Sequence, residues 1–437
     1  MRPSFKVALT IGAIALSGGL VACGDDGGDT TGGGGGGEAS FDLVIGNSVP
    51  LTGDLADFGP PGEKAANLAI DQINAAIKQA GVDQTVELVT EDNETNPQAA
   101  VQVARKMVDA DGATCIAGAW ASADSIPTAR SVSIREGVLQ ISPASTSTEL
   151  TSVEDDGLLN RVPPADNLQG PALVEFIGRS IGGVEGKTIN IGARNDAYGA
   201  GFSDAIEEAW TREGGELGER VEYEPTQPSY NSEAEQITSG NPDAIAIIDF
   251  PETFVKVGPA LERTGNFDTS KVFITDGLAN GTLVEENADL MEGIRGTAPG
   301  TPQQGSSSQA FDKLFTSAAP QDVERNVFDA QNFDAVTLCY LAAVAAGSTD
   351  GADMAAELRD VTGPPGKKYT WEQLPEAIKA LQNGEDIDYV GAAGQIDLDE
   401  NGDPTVGVYD QFRIEGGAIV PFGGQIPLPS IEAVTGG

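Results

Sequence analysis

Two loops carry the densest chemistry in this chain. The first reads Ala117-Gly118-Ala119-Trp120-Ala121-Ser122-Ala123-Asp124-Ser125, the second Ile141-Ser142-Pro143-Ala144-Ser145-Thr146-Ser147-Thr148-Glu149-Leu150. In both, a short apolar run gives way to small and hydroxyl residues just ahead of a helical pattern. Hydroxyls and backbone N–H groups at helix starts hold an anion without any cation. Either loop alone reads first as ordinary helix capping. Two of them on successive strands of one sheet point to a site for a carboxylate.

Other motifs are decoys. Gly182-Gly183-Val184-Glu185-Gly186-Lys187-Thr188 has Ile181 where a phosphate loop needs its first glycine, and it precedes a strand pattern instead of following one. Asp397-Leu398-Asp399-Glu400-Asn401-Gly402-Asp403 copies half of a calcium loop, but Val408 stands where the closing Glu belongs. A hairpin turn is the better reading, and no metal is expected. Cys115 falls in a strand pattern and Cys339 in a helix pattern. Buried free thiols are the expected state, and a bridge is left open because an exported chain can keep one.

The elements that must position these loops alternate. Strands are expected at 41–47, 85–91, 113–118 and 138–142, and again at 188–193, 220–224, 243–249 and 271–275. Helices are expected at 63–80, from Pro97, at 125–136, 173–180, 201–212, 232–239 and 253–264. This rhythm predicts α/β architecture with two Rossmann-like lobes built on parallel sheets. The Pro163-Pro164 and Ala298-Pro299-Gly300-Thr301-Pro302 stretches interrupt it. A long helix at 327–346, a shorter one at 371–382 and strands at 394–398 and 406–414 complete it. Ligands sit beyond the carboxyl ends of such strands, so the loops after Asn47, Gly118, Ser142, Arg194, Asp249 and Thr275 are where a site is expected.

Composition removes whole classes of function. The 437 residues include 67 acidic and 25 basic ones, a net charge of −42, and no histidine. Ser-His-Asp and Cys-His nucleophiles and histidine zinc sites are therefore absent. The charge argues against nucleic acid, whose phosphates need Lys and Arg patches. Three cysteines are too few for a disulfide scaffold.

The chain opens as an address and a tether. Arg2 and Lys6 precede an apolar stretch that ends Leu20-Val21-Ala22-Cys23. This resembles a bacterial lipobox, so 1–22 is expected to be a lipoprotein signal peptide and Cys23 the lipidated residue. Residues 23–40 form a Gly-rich linker with a reach of about 20–25 Å. The lipid must do the anchoring, because so acidic a body does not adhere to an anionic membrane.

Gly118 to Thr151, with Pro50-Leu51-Thr52-Gly53 and Asp196-Ala197-Tyr198-Gly199, resembles the branched-chain amino acid binding proteins, which are receptors of ABC importers with the type I periplasmic-binding-protein fold. The likeness runs from Phe41 to about Phe422. It implies two lobes joined by three hinge crossings near Pro163, Arg295 and Ala392. Lobe 1 would be 41–163 plus 297–392, lobe 2 would be 164–296 plus 393–426, and 427–437 a tail.

Carried over residue by residue, the family's carboxylate donors match Ser122 and Ala144-Ser145-Thr146. Its closing aromatics match Tyr198 and Phe250, and its ammonium-binding acid matches Asp276. Trp120 stands where the family often has a smaller residue, which puts the side-chain pocket in question. A zwitterion needs donors for its carboxylate and an acceptor for its ammonium, and these positions supply both. The expected protein is a monomeric, lipid-anchored extracytoplasmic receptor. It is not an enzyme and needs no cofactor. It would carry a branched-chain or other neutral amino acid to ABC permease subunits. A sensor for an amide, urea or an aromatic acid without transport is the rival reading, and a secreted hydrolase a distant one.

Overall fold

In the computed structural model of the chain, residues 40–428 are described. The expected signal peptide, Cys23, nearly all of the linker and most of the tail lie outside them.

Strands β1 (Phe41–Val49), β2 (Gln84–Asp92), β3 (Cys115–Ala117), β4 (Leu139–Ser142) and β5 (Leu159–Arg161) form one sheet in the order β2-β1-β3-β4-β5, every pair parallel. Strands β6 (Thr188–Arg194), β7 (Glu216–Tyr223), β8 (Ala244–Ile248), β9 (Val272–Ile274) and β10 (Arg295–Pro299) form a second, in the order β7-β6-β8-β9-β10, also parallel. Strands β11 (Lys367–Thr370) and β12 (Ile387–Val390) make a separate pair. Strands β13 (Val408–Glu415) and β14 (Ala418–Pro427) extend the second sheet beyond β10 in antiparallel fashion, with β14 at the edge. The second sheet is therefore mixed, not purely parallel as expected.

The two parallel blocks share one wiring. The first strand lies inside, the second on one flank and the third on the other. Strand order reverses between β1 and β3 in one sheet and between β6 and β8 in the other. Such a switch point leaves a crevice beyond the strands' carboxyl ends, because the flanking helices diverge to opposite faces.

Helices cover both sheets for reasons visible locally. The helix Gly59–Ala80 starts at a Pro-Pro pair and buries Ala66, Ile73 and Ile77. Asn96 caps Pro97–Asp109 by accepting from two backbone N–H groups. Asp329–Ala346 is buried on every side over nearly its whole length and sits at the centre of the first sheet's core, with Phe311, Phe333 and Trp371 packed in the same cluster. Arg295, expected at a crossing, opens strand β10, so the chain leaves the second sheet only after Pro299. Residues 394–398, expected as a strand, make only isolated bridges, Val390 to Gln395 and Leu398 to Pro404. The Asp334 carboxylate holds the neighbouring turn by accepting from Ala392 N, Ala393 N and Tyr389 OH.

The calcium-like segment is a turn, as read. Asp399 Oδ1 accepts from the N–H groups of Asn401 (2.8 Å) and Asp403 (3.0 Å), while Asp403 pairs with Arg161. Among the described residues no group of three or more acidic, His or Cys side chains is placed to hold a metal. Gly182 and Gly183 end the helix Asp166–Ile181 ahead of β6, with no phosphate-loop geometry.

The expected free thiols are instead bridged. Cys115 in β3 and Cys339 in the central helix form a disulfide with Cα atoms 5.9 Å apart. Residues 224 positions apart carry no local signal of meeting. Closing so long a loop restricts the unfolded chain strongly. The double variant Cys115→Ala/Cys339→Ala is expected to lose about 2–5 kcal/mol of stability. Thermal unfolding beside the oxidised wild type checks this.

Candidate functional site

The two switch points face each other. Between them lies a cavity of ≈ 310 Å³ empty volume, lined by Leu55, Phe58, Trp120, Ala121, Ser122 and Ala144 from the first sheet's loops, by Tyr198, Phe250, Asp276 and Gly277 from the second's, and by Phe328. The space within it open to solvent is only ≈ 20 Å³, room for about one water. Apolar residues of both halves join in one buried cluster around it. Six of the eight expected ligand residues thus meet at one cavity: Trp120, Ser122, Ala144, Tyr198, Phe250 and Asp276. Ser145 and Thr146 do not line it.

Hydroxyls tie the two loops of the first sheet together. Ser142 Oγ donates to Ala119 O (2.6 Å) and accepts from Ser145 N (3.0 Å). The Ser145 hydroxyl lies 3.0 Å from Trp120 O and 2.8 Å from Ser125 Oγ, which turns it inward. Ser147 caps a short helix by accepting from Glu149 N. Ser122 differs: its Oγ accepts from Ser147 N (3.2 Å), which leaves its O–H to donate at the cavity wall. Gly118 allows this packing, because at φ 137° a Cβ there would stand 2.6 Å from Ser48 O.

Trp120 forms a wall. Its ring lies against the bare backbone of Gly62, where a Cβ would meet Cζ2 at 2.3 Å. Its indole N–H is buried and has no acceptor among the described residues.

The opposite side is built around a buried carboxyl. Asp276 follows β9, and its Oδ1 accepts from Gln169 Nε2 (2.8 Å) and from Tyr198 OH (3.1 Å). The Tyr198 oxygen in turn lies 2.7 Å from Thr275 Oγ1 and accepts from Gly277 N (3.2 Å). With Thr275 donating, the one phenolic proton goes to Asp276. Tyr198 stacks on Phe250, centroids 5.2 Å apart and 16° from parallel. Burial pushes the Asp276 pKa up to about 6, opposed by the Tyr198 and Gln169 hydrogen bonds. Asp166 lies close by. Burial, and next the Asp276 charge, push it well above the usual carboxylate range, against the Thr146 hydroxyl and Arg161. Both carboxyls are thus raised by burial and titrate as a coupled pair.

Sequence reasoning missed Leu55, Phe58, Phe328, Asp166 and Gln169. The first three are ordinary apolar loop residues, although the loop after β1 was a place to look. Phe328 sits at φ 73°, a conformation no sequence pattern announces. Asp166 in a first helical turn reads as a dipole partner.

A fold of two such lobes with a cavity at their joint switch points defines a class of binding protein, and the comparisons agree. Residues 42–373 match the periplasmic binding protein family, and the chain belongs to it. A leucine-, isoleucine-, valine-, threonine- and alanine-binding protein of Pseudomonas aeruginosa is 27% identical over 312 residues, covering 71% of this chain and 80% of that protein. The crystal structure of a leucine binding protein from Thermotoga maritima superposes with a TM-score of 0.71 at 22% identity, covering 88% of this chain and 98% of the other. A solute binding protein of an ABC transporter from R. palustris, in complex with benzoate, reaches 0.67 at 19% identity, covering 88% and 96%. The fold is the type I periplasmic-binding-protein fold. The family is one of periplasmic binding proteins, and these relatives are binding proteins for amino acids and, in an ABC transporter, for benzoate.

Proposed function

We propose that this protein is a receptor that closes its lobes on one small neutral α-amino acid and presents it to an ABC permease. The single observation that carries this reading is the polarity of the cavity, with a carboxyl, Asp276, on one side and a hydroxyl, Ser122, on the other. The ligand carboxylate would sit against Ser122 and the 144–146 loop, and its ammonium on Asp276. The side chain would lie against Leu55, Phe58, Trp120 and Phe328. Ser145 would contribute by holding that loop, and Thr146 through its carbonyl, which accepts from Asp166 N, not by direct contact. The segments between β5 and Asp166, between Pro299 and Ser306, and between β12 and β13 would serve as the three hinges, in a ligand-driven shift between open and closed forms. The whole body would be monomeric, catalyse nothing, and hang from the membrane by a lipid on Cys23.

One observation favours a second reading. Five aromatic side chains line the cavity, and the Trp120 N–H has no acceptor among the described residues. An aromatic acid would use both, without needing Asp276.

A thermal-shift screen of the body from Ser40 onward separates the two. The panel holds the common amino acids, their amides, urea and benzoate, each at about 1 mM. A ligand with Kd near 1 μM adds about 4 kcal/mol. Hits confined to amino acids are the expected result. Hits confined to benzoate or the amides would replace this reading with the second.

A further inference from the structure

We propose that Asp54 and Arg194 form a latch between the two lobes, and that breaking it governs ligand release. This rests on the reading that the lobes close over the cavity.

Arg194 ends β6, at the second sheet's switch point, and its side chain is only 6% exposed. Nη2 reaches across to Asp54 Oδ2 at 3.1 Å, in the loop that follows β1 of the first sheet. Thr253 Oγ1, from the second lobe, lies 3.4 Å from the same oxygen. Within its own lobe Arg194 also pairs with Asp196 through Nε, and lies 3.8 Å from Asp249. Gly199 makes room for this pose, since a Cβ there would stand 2.9 Å from Arg194 Cγ.

The arrangement is asymmetric in a way that suits a reversible fastening. If the lobes part, Arg194 keeps Asp196 and Asp249 and is never left as a lone buried charge. Of its direct ion pairs only that with Asp54 breaks, and the Asp54 side chain is already 29% exposed and passes readily to water. A pair that strands neither charge opens far more easily than a fully buried one.

The latch is also wired to the cavity. The guanidinium lies 3.7 Å from the centre of the Phe250 ring. Phe250 stacks on Tyr198, and both line the cavity. A ligand that seats these rings therefore also aims Arg194 at Asp54. The pair contributes chiefly to keeping the lobes shut, so it acts on dissociation more than association.

The test is Asp54→Asn, which keeps shape and removes the charge, followed by stopped-flow release of L-leucine. Release is expected to be roughly tenfold faster, with association little changed. Raising NaCl to about 0.5 M should speed wild-type release towards the variant and leave the variant unmoved. The melting temperature of ligand-free protein should stay the same, which a merely structural role would not predict. A second readout needs no ligand. Trp120 lies at the cavity, whereas Trp210 and Trp371 are buried inside single lobes and donate to backbone carbonyls there. Acrylamide quenching of ligand-free protein therefore reports lobe opening and should rise in the variant. Equal release and equal quenching in the two proteins would overturn the latch. If L-leucine does not bind the wild type, the amino acid reading is what fails, and the quenching comparison still decides the latch.

Discussion

Asp276→Asn is expected to weaken amino acid binding by at least about 100-fold while leaving the fold intact. The ligand ammonium would otherwise meet this carboxylate, the one that lines the cavity. Removing one partner of a buried charge-assisted pair leaves the other unsatisfied, at a cost of about 2–5 kcal/mol. Asn keeps a carbonyl where Oδ1 now accepts from Gln169 and Tyr198, so the local network survives. The wild type should show a second signature. Its Asp276 sits at about 6, raised first by burial. Binding an ammonium needs the ionised form, so affinity should fall as pH drops through that value, approaching about tenfold per unit below it. Calorimetric titration at pH 7.5 and pH 5 checks both points. A variant with undiminished affinity, or an affinity that rises in acid, would remove Asp276 from the ammonium site.

The second large effect is on stability, and it runs against the usual expectation for acid. Burial raises Asp124 to about 8, Asp249 and Asp334 to about 7, and Asp276 to about 6. Arg194 opposes the shift at Asp124 and Asp249, and hydrogen bonds oppose it at Asp334 and Asp276. The folded protein thus holds protons that the unfolded chain, with ordinary carboxylates, releases near pH 4. Where the native state binds more protons, stability falls as pH rises. The contribution is fully present below about pH 4 and is lost as pH climbs through 6 to 8. Each retained proton is worth up to about 1.4 kcal/mol per pH unit. With no histidine in the chain, no imidazole titrates in this window to mask the effect.

The melting temperature should therefore be several degrees higher at pH 5.5 than at pH 8.5. The large negative net charge pushes the same way by self-repulsion. The comparison belongs at about 0.5 M NaCl, where surface repulsion is screened and the buried groups are not. A flat profile there, or greater stability at pH 8.5, would contradict the assignment of neutral buried carboxyls.

How much of this was legible beforehand depended on whether the signal was local. The Ala117–Ser125 and Ile141–Leu150 loops stood out because small and hydroxyl residues after an apolar run mean little except a turn built for close approach. Their division of labour did not. Whether a hydroxyl faces the cavity, as Ser122 does, or a backbone carbonyl, as Ser145 does, depends on the other loop. Tyr198, Phe250 and Asp276 were found through family likeness alone, since an isolated strand-end acid looks like any turn carboxylate. Strands β1, β6 and β8 were plain because parallel buried strands read as continuous apolar runs. Strand β10 was not, because Arg-Gly-Thr-Ala-Pro carries the residues that normally break structure. It pairs on both sides all the same, because the sheet and not its own propensity holds it. The disulfide, the Asp166–Asp276 pair and the Asp54–Arg194 contact are meetings of distant segments, and no spacing rule reaches them.

The central claim is that the cavity takes a zwitterion, with the carboxylate on one lobe and the ammonium on the other. The most direct measurement is a calorimetric titration with three matched compounds: the best amino acid of the screen, the same molecule without its amino group, and its amide. Tight binding of the amino acid alone is expected, with both analogues weaker by about 100-fold or more. A des-amino analogue that binds as tightly as its parent would contradict it, and would make the protein a receptor for simple carboxylic acids.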